Sequence, residues 1–288
     1  MWEQYLIPSA LDEVLDLLAD QPGETRPIAG GTDLLLQLQR ERRRLKRLVD
    51  ITRVEELRGV RVDGEGLFIG AGTTFSELLE AALLKEKVSA LLEAASTVGS
   101  PQIRHMATIG GNVVNASPAA DGAVPLVAIG AEAVLCHRSG ERRISLEDFF
   151  LGPGQTRLKE DELLMGFILA PLGGNSGSAF IKLGLRKALA VAVVSVGAMV
   201  RLVNGRVEMA RIALGAVAPR ILRARAAEEA LVGEMPGEQL LEHVGELAAA
   251  ESSPISDIRA SAEYRREMVA VLTGRALRQA IARADKSL

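Results

Sequence analysis

Two glycine-containing segments have residue types that suit the binding of an anionic ligand. The first is Ala29-Gly30-Gly31-Thr32-Asp33-Leu34, where a predicted strand meets a predicted helix. Adjacent glycines let the backbone take left-handed conformations and approach a ligand without a Cβ atom, and the free amides of a following helix attract phosphate. An ordinary tight turn, with Thr32 or Asp33 capping the helix, accounts for the same residues. The segment alone therefore does not establish a phosphate cradle.

The second segment, Gly110-Gly111-Asn112, precedes a run of small hydrogen-bonding residues that includes Asn115, Ser117 and Asp121. A ligand rich in hydroxyl groups, such as the ribityl chain of a flavin, needs donors and acceptors of this kind. A polar surface loop would have the same composition. Two glycine loops in one region of mixed helix and strand nevertheless indicate one shared ligand.

Other nucleotide-binding motifs fit less well. The segment Gly70-Ala71-Gly72-Thr73-Thr74-Phe75 begins like a dinucleotide fingerprint, but Phe75 stands where close helix packing requires the third glycine. The chain has no GxxxxGK[ST] sequence. A Rossmann or P-loop assignment is therefore disfavoured.

Composition excludes several classes of protein. The 34 basic and 37 acidic residues give a net charge of −3, which leaves no electrostatic footprint for nucleic acid. Cys136 is the only cysteine and the three histidines lack ligand spacing, so we predict no disulfide, iron–sulfur cluster or other metal held by this chain alone. The longest apolar stretch, 188–200, is too short to cross a bilayer. Without a signal-peptide pattern at the N-terminus, we expect a cytoplasmic location.

The order of hydrophobic patterns predicts an α+β chain. A strand, glycine turn, helix and strand occupy the first fifty residues, and a hairpin, a helix over 75–92 and a strand at 163–169 follow. The composition at 173–178 is typical of a linker, and beyond it come three apolar strands, an Asn204-Gly205 turn and a final helix over 260–282. We therefore predict two domains, 1–175 and 176–288, the first being split into two α+β subdomains near 52–58.

Five segments in order resemble the FAD-binding medium subunits of the xanthine dehydrogenase and carbon monoxide dehydrogenase family, the molybdenum hydroxylases. They span nearly the whole chain and together are far more specific than any one of them. These segments are AGGTDLL (29–35), QIRHMATIGGN (102–112), SPAAD (117–121), KLGxR (182–186) and DIRASAEYRR (257–266).

The resemblance implies the FAD-binding fold of the vanillyl-alcohol oxidase and p-cresol methylhydroxylase type, followed by a C-terminal antiparallel sheet-and-helix domain. It implies FAD as the cofactor of this chain. We expect neither a catalytic residue nor a metal ligand in this chain. For the last segment the resemblance implies a structural or subunit-contact role. The residues of that segment predict a helix start capped by Ser256 or Asp257, with Arg259, Arg265 and Arg266 exposed. The implied contacts to FAD are Arg26, Pro27, Ile28, Ala29, Gly30, Gly31, Thr32 and Asp33 at the pyrophosphate, Thr108, Gly111, Asn112 and Val114 in the second loop, Asp121 as a polar contact, Leu164 packed on the flavin, and Lys182 near the isoalloxazine.

The implied function is electron transfer. A large partner subunit oxidises the substrate at a molybdopterin centre, [2Fe–2S] clusters of a small partner subunit pass the electrons on, and FAD here delivers them to an external acceptor, in a dimer of heterotrimers. Two alternatives stay open: a free-standing flavoprotein oxidase, which would need an acid–base residue over the flavin, and a non-redox scaffold on the same fold. The sequence identifies neither the substrate nor the acceptor, because the substrate pocket belongs to another subunit.

Overall fold

The computed structural model describes residues 2–41, 44–64, 66–85 and 88–285. Its first sheet is parallel, with strand order β1-β3-β2. The predicted strand, glycine turn, helix and strand unit is confirmed, because the glycine segment at 29–33 connects β2 to α2. The elements of this part are β1 Trp2–Leu6, α1 Leu11–Asp20, β2 Thr25–Ile28, α2 Leu34–Glu41, β3 Leu45–Asp50 and a 3₁₀ turn at Glu55–Leu57.

The second sheet is antiparallel and has five strands, β4 Val60–Asp63, β5 Gly66–Gly70, β6 Glu132–His137, β7 Gly140–Ser145 and β10 Leu163–Leu169. Their order is β4-β5-β10-β6-β7, and a separate ribbon pairs β8 Phe150–Gly152 with β9 Gln155–Thr156. The predicted hairpin and the predicted strand at 163–169 are confirmed. Glu65, in the predicted hairpin turn, lies outside the described residues.

The predicted helix over 75–92 is wrong as a single element. Thr74 caps its start through a capping box with Glu77, as the sequence indicates, but Ala81 is extended (φ −65°, ψ 109°) and ends the first helix. Alanine favours helix, so packing decides here: Phe75 and Leu84 on either side of the break enter one core. The helices of this region are α3 Phe75–Glu80, α4 Ala82–Lys85, α5 Ser89–Thr97, α6 Pro101–Met106, α7 Ile109–Val114, α8 Ala123–Ile129 and α9 Leu146–Phe149.

The third sheet is antiparallel with strands in sequence order: β11 Ser176–Gly184, β12 Ala192–Val203, β13 Arg206–Gly215 and β14 Leu222–Arg223. Asn204 and Gly205 both have positive φ (53° and 73°) at the β12–β13 turn, which confirms the predicted hairpin. The helices that follow are α10 Arg225–Leu231, α11 Glu238–Glu251 and α12 Ala262–Ala284.

Both faces of the third sheet are covered. Alternate β12 residues such as Val194 and Val196 pack in one core with α11 and α12. The opposite face carries Gly197, where a Cβ atom would lie 3.2 to 3.3 Å from Ala128 and Val124 of α8. Helix α8 therefore lies on this face, and the alternation of side chains also turns Lys182 of β11 to it.

The segment 257–266 differs from the expectation at two points. The helix start predicted at Ser256 or Asp257 is wrong, because the side chain of Ser261 caps α12. The predicted exposure holds for Arg266, is wrong for Arg265, which is completely buried, and holds only in part for Arg259, which is partly buried. A guanidinium can be buried here because the carboxylate of Asp257 compensates its charge.

Across the described ranges no helix has the length and apolar character needed to span a membrane. Within the same ranges, no group of three or more histidine, cysteine, aspartate and glutamate side chains is placed to hold a metal ion.

Candidate functional site

The first glycine loop forms an open turn between β2 and α2. Gly31 has φ 68°, a left-handed conformation that favours glycine, and its carbonyl accepts from the amide of Leu35 in the first turn of α2. Residues 29–32 are partly exposed and Asp33 is exposed. The backbone of this loop is therefore accessible to a ligand.

The second glycine loop is built on Thr108, which caps α7 by accepting a hydrogen bond from the amide of Gly111 at 3.1 Å. The amide of Gly110 donates to the carbonyl of Ala71 at 2.9 Å, and a Cβ atom on Gly110 would lie 2.5 Å from the Ala71 Cβ. Ile109 donates to the carbonyl of Thr73 at 3.0 Å. The segment that starts like a dinucleotide fingerprint is thus the packing partner of the second loop.

The two glycine loops are in direct contact. A Cβ atom on Gly30 would overlap the carbonyl oxygen of Met106, at the end of α6 just before the second loop. Across the same junction the Gln37 Nε2 donates to the Asn115 Oδ1 at 2.7 Å. The loops that the sequence assigned to one ligand therefore form one continuous surface.

The turn at 117–121 follows the second loop and is attached to it. The Ser117 Oγ accepts from the amide of Ala119 at 3.2 Å, and the Asn112 Oδ1 accepts from the amide of Gly122 at 3.1 Å. The hydrogen bond from Gly122 to the side chain of Asn112 therefore also fixes the preceding residue, Asp121, relative to the second loop.

Asp121 and Lys182 form a buried ion pair between this turn and the third sheet. The Lys182 Nζ lies 2.5 Å from the Asp121 Oδ2 and also donates to the carbonyl of Thr97 at 3.3 Å. Their side chains are only 10% and 8% exposed, for Asp121 and Lys182 respectively. Burial raises the pKa of the Asp121 carboxyl, and Lys182 opposes that rise. Within the described part of the chain the buried Asp121 Oδ1 has no hydrogen-bond partner, so one acceptor of this carboxylate is unsatisfied.

The remaining predicted contacts surround this surface at different depths. Arg26, Pro27 and Ile28 lie on β2, where Arg26 is exposed and Ile28 is buried. Val114, at the end of α7, is half-buried. Leu164 is 3% exposed and belongs to the core behind the second loop, so its contact with a ligand stays a prediction.

Sequence reasoning missed three contributors to this surface: Met106, Gln37 and Thr97. Met106 and Thr97 act through carbonyl oxygens, which every residue carries, so their residue types give no signal. Gln37 lies on the exposed side of an amphipathic helix, where its composition is that of a solvated surface.

Thr108→Val should loosen the second loop while keeping the shape of the side chain. The hydroxyl that caps α7 is lost, which should lower the free energy of unfolding by about 1 kcal/mol. Thr108→Ser keeps the capping oxygen and is the matched control. Chemical denaturation of both variants measures the difference, and equal stabilities would contradict a capping role.

Two contacting glycine loops that each lead into a helix are features typical of a protein that binds a phosphate-containing cofactor. Comparison with protein families agrees: residues 2–171 match the FAD binding domain in molybdopterin dehydrogenase, and residues 179–280 match the CO dehydrogenase flavoprotein C-terminal domain. The chain belongs to the family of FAD-binding medium subunits of xanthine dehydrogenase and carbon monoxide dehydrogenase type, which are oxidoreductases. The predicted family, fold class and cofactor of this chain are confirmed.

Individual relatives cover almost the whole chain. The xanthine dehydrogenase FAD-binding subunit of Escherichia coli O157:H7 is 35% identical over 97% of this chain and 96% of its own length. The glyceraldehyde dehydrogenase medium chain of Sulfolobus acidocaldarius is 33% identical over 96% of this chain and 97% of its own length. Among solved structures, carbon monoxide dehydrogenase from Hydrogenophaga pseudoflava superposes with a TM-score of 0.93 at 32% identity, covering 98% of both chains.

Proposed function

We propose that this chain passes electrons from [2Fe–2S] clusters of a small partner subunit through FAD to an external acceptor. A large partner subunit with a molybdopterin centre would oxidise the substrate, and the three subunits would form a dimer of heterotrimers. Membership of the family supports this arrangement. So does the single cysteine, because a cysteine-ligated cluster needs more thiolates than this chain has.

The observation that carries the proposal is the contact between the two glycine loops, since one elongated cofactor can lie along both. The backbone amides of the first loop would hold the pyrophosphate, and the second loop and Asp121 would hold the polar chain that leads to the flavin. FAD, when bound, supplies the electron-accepting ring. The proposed contacts are Arg26, Pro27, Ile28, Ala29, Gly30, Gly31, Thr32, Asp33, Thr108, Gly111, Asn112, Val114, Asp121, Leu164 and Lys182.

Lys182 would act on the flavin as half of an ion pair. A cation beside the ring favours the added negative charge of reduced flavin, but the carboxylate of Asp121 offsets that charge at 2.5 Å. The pair therefore presents a dipole rather than a net charge. Removal of one partner would leave the charge of the other uncompensated, so the direction in which the flavin potential changes would depend on which partner is removed.

Substrate identity would lie outside this chain. The relatives above are named for xanthine, glyceraldehyde and carbon monoxide, which have little chemistry in common, although this chain aligns with each over nearly its full length. A pocket on a partner subunit accounts for that variety. The domain division at 175/176 and the cytoplasmic location both stay predictions.

The purified chain should take up FAD. We expect its visible absorption spectrum, after addition of FAD and removal of excess, to show bound flavin, and heat release should return FAD rather than another flavin. The same experiment is repeated with co-expressed partner subunits. A chain that stays colourless in both settings would favour the non-redox scaffold. Oxidation of small alcohols or phenols by the isolated chain would instead support the free-standing oxidase.

A further inference from the structure

Arg265 is a buried charge that the proposed flavin site does not use directly. Its side chain is 1% exposed, and its guanidinium donates to the carbonyls of Val193 at 3.2 Å and Ala216 at 2.9 Å and to the Asp257 Oδ1 at 2.6 Å. Its Nε has no hydrogen-bond partner in the part of the chain that the structure describes. An arginine cannot become neutral, so these contacts must offset the burial of its charge.

Asp257 holds the arginine in place. Hydrogen bonds from the side chain and the amide of Arg259, together with one from Arg265, hold the pKa of the Asp257 carboxyl well below its usual range. Asp257 is therefore ionised at any working pH. Arg259 also donates to the carbonyl of Ala192 at 2.9 Å. Through these hydrogen bonds the two arginines connect the start of β12 to the end of β13.

Ala216 connects these arginine hydrogen bonds to the proposed flavin site. Its φ of 63° is left-handed, which is unfavourable for a residue with a Cβ atom, and its carbonyl accepts from Arg265. The amide of Ala216 donates to the carbonyl of Pro118 at 2.7 Å. One residue in a disfavoured conformation therefore links the buried guanidinium to the turn at 117–121.

That turn ends at Asp121, so its position sets two contacts at once. It presents Asp121 to Lys182 at 2.5 Å, and it presents the amide of Gly122 to the side chain of Asn112 at 3.1 Å. A shift of Pro118 would move both contacts.

We propose that Arg265 is a positioning residue for the flavin site. By holding Ala216 in its left-handed conformation, it keeps the turn at 117–121 in place and so maintains the Asp121–Lys182 pair against the cofactor. This inference rests on the proposed function, because it requires FAD to lie beside that pair.

Arg265→Gln in the full chain tests the inference through two properties of bound flavin. We expect the affinity for FAD, measured by flavin fluorescence, to fall by about tenfold, and the midpoint potential of the bound flavin to change. Adding Ala216→Gly should recover part of the affinity, because glycine adopts the left-handed conformation without help from Arg265. The matched control is Arg266→Gln, which removes the neighbouring exposed arginine of α12 and should change neither property.

A folded Arg265→Gln chain with unchanged affinity and potential would overturn the inference, as would a loss that Ala216→Gly does not reduce. If Arg265→Gln does not fold, Arg265→Lys replaces it. Lysine keeps the buried charge but loses the fork that reaches both carbonyls, and a wild-type affinity and potential in this variant would also overturn the inference. Failure of the unsubstituted chain to bind FAD, alone or with its partners, would instead refute the proposed function.

Discussion

Gly30→Ala should weaken FAD binding strongly. The added methyl group would overlap the carbonyl oxygen of Met106, which is backbone and cannot rotate away, so the two glycine loops must separate. We expect the free energy of unfolding to fall by about 3 kcal/mol, at the upper end of the cost of overpacking. The affinity for FAD should fall by at least ~100-fold, which corresponds to about 2.7 kcal/mol. Thermal unfolding and FAD titration measure the two effects.

Gly174→Ala is the matched control for this prediction. Its φ is not in the left-handed region and a Cβ atom there would meet nothing within 4 Å, so the same change of residue should leave stability and FAD affinity near wild type. If Gly30→Ala bound FAD as tightly as Gly174→Ala, the contact between the loops would not form part of the cofactor site.

The elements that the sequence predicted well have local causes. Strand β10 coincides with the predicted 163–169, and the Asn204-Gly205 turn has the two left-handed residues that its sequence indicates. The break of the predicted helix at Ala81 was missed, because alanine favours helix and the break comes from long-range packing. Propensity and turn chemistry operate within a few residues, so they predict such elements and not the places where the core overrides them.

The candidate site shows the same difference between features with a local sequence signal and features set by long-range contacts. The glycine loops were predicted as a pair, because both carry a sequence signal, and the structure brings them together. The burial of Arg265 was not predicted, because a run of charged residues at the start of a helix is typical of a solvated face. The pairing of Asp121 with Lys182 joins residues 61 positions apart on a turn and a strand. No local pattern specifies such a pair, so the resemblance supplied each residue separately and not their contact.

Lys182→Met should destabilise the fold strongly, because it leaves the carboxylate of Asp121 buried without its cation. Removing one partner of a buried pair typically costs about 3 to 5 kcal/mol, and methionine keeps most of the volume of the lysine side chain. Asp121→Asn should also lower the free energy of unfolding, since it leaves the ammonium group of Lys182 buried without its carboxylate partner. The double variant, Asp121→Asn with Lys182→Met, should lose less stability than the sum of the two single variants. Additive losses would show that the two side chains do not interact.

The loss in Lys182→Met should also depend on pH, and its sign follows from the pKa of Asp121. Burial raises that pKa above its unfolded value of about 3.9, and the variant lacks the cation that opposes the rise. Between the unfolded and the folded pKa the native state binds more protons than the unfolded chain, so stability falls as pH rises through this window. Lys182→Met should therefore be least destabilised in acid and most destabilised at neutral pH.

The double variant isolates this titration, because asparagine at 121 does not ionise while all other groups remain. The unfolding free energies of Lys182→Met and of the double variant are measured by denaturation from pH 4 to pH 8. As pH rises, the unfolding free energy of Lys182→Met should fall relative to that of the double variant. For the proposed position of FAD beside this pair, the two single variants should shift the midpoint potential of the bound flavin in opposite directions. Lys182→Met should lower it and Asp121→Asn should raise it, because each change leaves the charge of the other partner uncompensated. If the difference in stability between Lys182→Met and the double variant does not change with pH, Asp121 is not the group whose ionisation depends on Lys182.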